Sequence, residues 1–324
     1  MQKLLSLVGV FAWASILLTV AAFVNSHSVD ELTEQFRALT ESRNGVTFCS
    51  LICLAIALRG VRWLLFFSNG VKEDGAAHFF YHGWFSVLSM LSAFRSGEVL
   101  RLAWLQRHGL SLGAATTSVV TEKVSDAAFL GLALIFLSIV GLVGSAVSPV
   151  VSLFVGVVAT ALITLIFWRL YRLRVRLRAS GEGAFLTGVR NMDRAMRDYL
   201  AEMQAGTRVP LHSNGTALLL MNTAAIWLIV IAAFHSLIGL NFGTVSLVTT
   251  AIMVISINIL GFLNAFPANI GPFEATVMAV LMANNVEMEA AAAFAISTHF
   301  LVIMTTIAYG VACRLAISAQ RAIK

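Results

Sequence analysis

Charge is what this chain has least of. Of its 324 residues 12% are Asp, Glu, Lys or Arg and 59% are hydrophobic, whereas soluble domains carry about 25% charged residues. That shortage excludes a water-exposed globule and leaves a multi-span membrane protein. Cysteine is nearly missing too: Cys49, Cys53 and Cys313 are the three present, all in apolar helical stretches. Cys49 and Cys53 share a helix face, but no histidine or acid lies nearby in sequence to complete a metal site. The three read as packing residues, and a disulfide framework is excluded. Catalytic signatures are absent as well: no DxD pair, no HExxH, no GxGD and no GxSxG. The seven histidines are scattered, and His78, His82 and His299 read as interfacial or packing residues. No metal and no cofactor is expected.

What is present supports the membrane reading. The 22 Phe and 6 Trp suit lipid-facing and interfacial positions. Most of the net charge of +6 comes from residues 169–208, where nine Arg face only Glu182, Asp193, Asp198 and Glu202. Because that segment lies between two apolar runs, it reads as a topology signal that places it in the cytoplasm, not as a nucleic-acid patch.

Taken in order, Leu4–Val24 is a continuous apolar run of 21 residues, about 31 Å as a helix. It reads as a first span, with a signal peptide as the rival reading. Asn25–Gly45 reads as an outside loop, and Val46–Phe67 as the second span, with Arg59, Arg62 and Trp63 as its cytoplasmic anchor. Residues 76–111 enter from the inside and return there, as a re-entrant or broken pair. Leu110–Gly141 and Val150–Tyr171 form a hairpin, 172–211 a cytoplasmic linker, and Gly215–Ile238 with Thr244–Phe266 a second hairpin. A short helix to Met282 and a final span, Ala290–Ala316, follow. Both termini are expected inside. The predicted fold is all-α, a polytopic membrane helix bundle of about seven to nine spanning or re-entrant segments. It forms a single transmembrane domain with halves 1–171 and 212–324.

Against this background Arg95, Glu98, Arg101, Glu122, Lys123 and Asp126 stand out. Each costs roughly 2.5–3.5 kcal/mol at a bilayer centre, so they must pair, face a wet cavity, or sit at an interface. No further charge follows Asp126 until Arg169, which excludes an ordinary loop for the last three. Glu122 and Asp126 share one helix face at i, i+4, and Lys123 at i+3 is placed to neutralise Asp126. Glu122→Ala and Asp126→Ala are each expected to abolish function while the protein still inserts and accumulates. Each half also carries an interruption with Gly and Glu: Gly97-Glu98, and Pro267-Ala-Asn-Ile-Gly271-Pro-Phe-Glu274. Paired breaks in corresponding positions point to a transporter's binding site, and broken helices at membrane depth line cavities. Pro272 suits a first helical turn, which puts Glu274 near the positive end of the dipole. Both glycines are expected to let backbone approach where a Cβ would obstruct, with the two breaks meeting across one cavity.

Arg59-Gly-Val-Arg62-Trp63, Arg95-Ser-Gly97-Glu98-Val-Leu-Arg101, Glu122-Lys123 with Asp126, and Pro267 to Glu274 occur in that order. Together they resemble the motifs of a flippase-like integral membrane family that includes the transmembrane domain of lysylphosphatidylglycerol synthases. The resemblance covers roughly Val46 to Ala316. This chain departs from the family pattern at Ala93, where a proline is usual, at Lys123, often Arg, and at Ala268 and Asn269, usually glycines. No aminoacyl-transferase domain is expected after Lys324, and on that expectation the resemblance implies lipid translocation in a bacterial cytoplasmic membrane, not lipid lysylation.

The expected function is translocation of a lipid or lipid-linked sugar with an anionic headgroup. Arg95, Arg101 and Lys123 would contact the phosphate, and Glu98, Glu122, Asp126 and Glu274 would balance charge or shuttle protons. Gly97, Pro267 and Gly271 would shape the two breaks. A membrane-embedded transferase acting on a polyprenyl phosphate or phospholipid is the alternative. A non-catalytic partner subunit is the third reading, and a membrane protein partner or a homo-oligomer remains open.

Overall fold

Backbone inside a bilayer must satisfy its own N–H and C=O groups, and every regular element among the described residues is a helix. The structure, a computed structural model, describes residues 37, 41–65, 75–92, 96–139, 213–243, 245–261 and 267–323. The expected spans Leu4–Val24 and Val150–Tyr171, the 172–211 linker and Arg95 lie outside these residues.

The described helices are α1 (Arg43–Leu65), α2 (Gly75–Leu91), α3 (Ser96–Arg107), α4 (Leu112–Ile139), α5 (Ser213–Asn241), α6 (Leu247–Gly261), α7 (Pro272–Met282) and α8 (Met288–Ile323). A 3-10 turn, Pro267–Asn269, precedes α7. Among the described residues, three helices are long and apolar enough to cross a membrane: α1, Ala217–Gly239 within α5, and Met288–Ala322 within α8. Large apolar side chains such as Phe136, Met221, Leu228 and Leu315 point outward. Outward exposure costs these side chains little in hydrocarbon, so this surface is the lipid-facing one. The protein is a multi-pass helical membrane protein.

Two apolar cores hold the helices together. The larger joins α1 and α4 to α8 through Phe48, Leu130, Phe234, Met253, Val277 and Phe294. The smaller lies where α1 ends against α2 and α3, around Trp63, Tyr81, Phe85 and Leu105. Helices inside lipid gain little from apolar burial alone and rely on close packing over small residues. The α2–α8 contact is of this kind: a Cβ on Gly310 would run into Val87, and one on Gly83 would run into Cys313. The charged residues sit between the two cores. Trp227 of the larger core touches Asp126, and Trp63 of the smaller core lies under Arg101.

Candidate functional site

Helical spacing puts the charges of α1, α3 and α4 on facing sides. Arg59 and Arg62 are i, i+3, as are Glu98 and Arg101, while Glu122 and Asp126 are i, i+4. The innermost pair is bidentate: Arg62 donates from Nη1 to Asp126 Oδ1 at 2.7 Å and from Nη2 to Oδ2 at 3.0 Å. The Trp227 indole N–H also donates to Asp126 Oδ1, at 3.0 Å. Arg62 gives a further hydrogen bond to the Thr223 hydroxyl at 3.2 Å and lies 3.4 Å from Glu122. Glu122 is 2.8 Å from Arg101 Nη2, an ion pair not aligned as a hydrogen bond. Arg101 reaches Glu98 at 3.4 Å and holds its guanidinium 4.6 Å over the Trp63 ring. Lys123 closes the chain at 3.1 Å from Glu98.

Anions and cations therefore alternate along Asp126, Arg62, Glu122, Arg101, Glu98 and Lys123, three of each sign. Accessibility grades along it. The Arg62 side chain is 0% exposed, and Lys123 at the far end is 30% exposed. Two sequence expectations are corrected here. Arg62 is not an interfacial anchor: it is sealed in the protein because two carboxylates of α4 face it. Lys123 does not neutralise Asp126, since Asp126 faces α1 and α5 while Lys123 faces Glu98 on α3.

The second break is built differently. Gly271 caps α7 with φ +95°, and Pro272 occupies the first turn. Glu274 turns back so that its Oε2 accepts the Gly271 N–H at 2.7 Å. Its Oε1 lies 2.6 Å from His299 Nδ1, and His299 Nε2 lies 2.9 Å from the Ala268 carbonyl oxygen. The imidazole stacks on Phe273 with ring centroids 4.0 Å apart. The two glycines serve different ends. A Cβ on Gly97 would overlap the backbone of Leu88 and Ser89, so α3 starts directly against α2. Around Gly271 a Cβ would meet nothing within 4 Å. The expectation of close approach is wrong there, and glycine is needed for its positive φ.

A cavity of about 300 Å³ lies between these two sites. Glu98, Arg101, Glu122, Lys123 and Asp126 line one side, and Ala268, Asn269 and His299 line the other. Its remaining wall is largely apolar, with Ile52, Phe85, Phe234 and Ile257. Of the sequence-predicted residues, Gly97, Pro267, Gly271 and Glu274 are not among the lining residues, although Glu274 holds the lining His299. Arg95 is outside the described residues.

Four residues of the cavity wall were not among the site residues expected from sequence: Arg59 was read as an anchor, His82 and His299 as interfacial or packing residues, and Trp227 was not singled out. Arg59 lines the cavity with its guanidinium 5.3 Å from the Trp227 ring. His82 lines it too, and its buried Nδ1 has no hydrogen-bond partner. Trp227 carried a usable signal, because an indole N–H inside an apolar span must find an acceptor. For His299 the signal was weaker, a lone histidine in the final span. Among the described residues no three His, Cys, Asp or Glu side chains are placed to hold one metal ion.

The family model described as the lysylphosphatidylglycerol synthase TM region matches residues 4–310 of the chain. No curated protein and no solved structure matches it.

Proposed function

The chain belongs to the lysylphosphatidylglycerol synthase TM-region family, and from that premise we propose that it translocates a lipid or lipid-linked sugar by its anionic headgroup. The observation that carries the reading is the two-faced cavity. Charged groups of α3 and α4 line one part of it and apolar side chains another, as a phosphate-bearing headgroup joined to an acyl or prenyl chain requires. Its volume of about 300 Å³ falls at the lower end of small-molecule sites.

Within the charged part, the groups differ in how readily they exchange partners. Asp126 is fixed by three hydrogen bonds. Glu98 is held by two looser contacts, at 3.1 and 3.4 Å, and is 18% exposed. An incoming phosphate takes the place of Glu98 on Lys123 and Arg101, and the freed carboxylate turns to water. Arg101 is the better anchor, because a planar guanidinium matches phosphate oxygens in pairs. The cytoplasmic linker at 172–211, the re-entrant α2–α3 pair and residence in a bacterial cytoplasmic membrane belong to the same reading.

Reconstitution tests it. With a fluorescent phosphatidylglycerol analogue in proteoliposomes, the protein is expected to accelerate exchange between leaflets. Arg101→Ala is expected to abolish the acceleration, and Glu98→Gln, which removes the competing anion, to tighten lipid binding about tenfold, the scale of one charged hydrogen bond. Full acceleration by Arg101→Ala would sink the proposal.

A further inference from the structure

His299 has an acceptor on each side. Glu274 Oε1 lies 2.6 Å from Nδ1 and the Ala268 carbonyl oxygen 2.9 Å from Nε2. A neutral imidazole has one N–H. Set beside an ionised Glu274, it could satisfy only one of these contacts and would press a nitrogen lone pair against an oxygen lone pair at the other. The arrangement closes only with one more proton. Either His299 is doubly protonated, or Glu274 is protonated and donates to Nδ1 while Nε2–H donates to Ala268.

The proton is tied to a strained turn. Ala268 has φ +53° and Asn269 φ +61°; asparagine enters this region readily, whereas alanine keeps it only where its surroundings impose it. Two ties impose it here: the His299 bond to the Ala268 carbonyl and the Glu274 bond to the Gly271 N–H. Ala268, Asn269 and His299 all line the cavity.

We propose that Glu274 and His299 form a binding site for a single proton, and that losing it releases the 267–271 turn and moves that wall of the cavity. On deprotonation one N–H remains for two acceptors. It stays with the carboxylate, because the charge-assisted bond is the stronger of the two, so the Ala268 carbonyl is let go. The ligand is a proton, and its release is a conformational step at the site proposed for the lipid headgroup. This coupling rests on the translocase reading, whereas the proton site does not.

Other titratable groups face the same space. They are Arg59 from α1, His82 from α2, Glu98 and Arg101 from α3, and Glu122, Lys123 and Asp126 from α4. The α6 helix carries no charged residue, and α5 offers only His235, which pairs with the Thr250 hydroxyl. Glu274→Gln leaves all of them in place. Its carboxamide accepts from the Gly271 N–H and donates to Nδ1, so it imitates the proton-loaded state at any pH.

The experiment measures amide hydrogen exchange of residues 268–271 and 273, the positions of this segment that carry an amide hydrogen, in the full chain in lipid nanodiscs, corrected for the intrinsic effect of pH. In the unmodified protein, protection is expected to fall about tenfold or more between about pH 5 and about pH 9, an interval that spans the range in which imidazoles change charge. In Glu274→Gln it is expected to stay at the loaded level. A pH-independent unmodified protein, or a variant that follows the same fall, overturns the proposal.

Imidazole nitrogen spectra decide independently of the variant's folding. The His299 signals, assigned by their loss in His299→Gln, must show both nitrogens sharing hydrogens at neutral pH, and a bare lone pair on either overturns the proton site. Vesicles containing phosphatidylglycerol separate the two readings. Failure to bind them with the exchange switch intact removes the headgroup reading and leaves the proton site standing.

Discussion

On the α1–α3–α4 side of the cavity, three cations and three anions neutralise one another in a continuous chain. On the α7–α8 side, one carboxylate and one imidazole are held largely by backbone groups. The first arrangement has redundant links: Glu122 touches both Arg62 and Arg101, and Glu98 touches both Arg101 and Lys123. The second has single links, and each one fixes a backbone conformation. At Glu122 and Glu98 the doubled links resist a single change and suit a fixed charge lattice around a headgroup, whereas the bidentate Arg62–Asp126 pair at the sealed end has no equal substitute. A chain of single links propagates one protonation event into a moved turn. Under the proposed function, the difference would give binding to the first side and switching to the second.

The sharpest way to break this comparison is at the sealed end of the network. Asp126→Ala leaves Arg62 buried without its bidentate partner, and removing one member of such a pair costs about 3–5 kcal/mol. Thermal unfolding in mild detergent is expected to show that loss, together with reduced accumulation. Replacing both partners, Arg62→Leu with Asp126→Leu, takes away one charge of each sign and is expected to recover most of it. If Asp126→Ala unfolds like the unmodified protein, the sealed pair is not a structural bolt. Burial of the Arg62–Asp126 pair thus adds an expected stability effect to the loss of function expected for Asp126 from sequence. For Glu122, which touches the accessible part of the chain through Arg101, the expectation from sequence stands as stated.

The glycines carry the comparison to the backbone. Gly97→Ala forces a methyl group into the Leu88–Ser89 backbone, an overpacking penalty of about 1–3 kcal/mol. Ser89→Ala should not relieve it, since main-chain atoms are in the way. Gly271→Ala meets no atom and fails through its φ of +95° instead, by roughly 1–3 kcal/mol. Gly97→Ala is expected to lower unfolding temperature at every pH. Gly271→Ala is expected to lower exchange protection at residues 268–271 and 273 even at low pH. Identical behaviour of the two variants would erase the distinction.

How much of this was legible in the sequence follows from the range of each interaction. The i, i+4 spacing of Glu122 and Asp126, and Glu274 in the first turn after Pro272, are local, and their consequences could be read directly. The cost of charge in an apolar chain required that Arg101, Glu98 and Lys123 find partners, and they do. The identity of the partners was hidden. Arg62 meets Asp126 across 64 positions, and Trp227 meets it across 101, so no periodicity marks either pairing. An arginine beside a tryptophan at the end of a span has the composition of an interfacial anchor, and only tertiary packing buries it. His299 likewise had no local mark, because its carboxylate lies 25 positions earlier, across a loop. Gly271 was misread because sequence does not separate a glycine that makes room from one that supplies a torsion.

The smallest expected effect on stability comes from the open end of the same network, and it is the one that separates binding from folding. Lys123 is 30% exposed and its partner Glu98 18%, so water or headgroups screen the pair, and such pairs contribute about 0.2–1 kcal/mol. Lys123→Ala is therefore expected to unfold within about 1 kcal/mol of the unmodified protein, far from the loss at Asp126. Binding should respond differently. Lys123 is the cation best placed to meet an incoming anion, so retention on phosphatidylglycerol vesicles is expected to fall about tenfold, as for one charge-assisted contact. Arg107→Ala supplies the control. Arg107 is exposed at the end of α3 and should change neither quantity. If Lys123→Ala destabilises as strongly as Asp126→Ala, the gradient from sealed to accessible is not real and the network acts as one structural unit. If it leaves both stability and vesicle binding unchanged, the anion does not enter at the Lys123 end, and the site must be sought around Arg59 and His82, which also line the cavity.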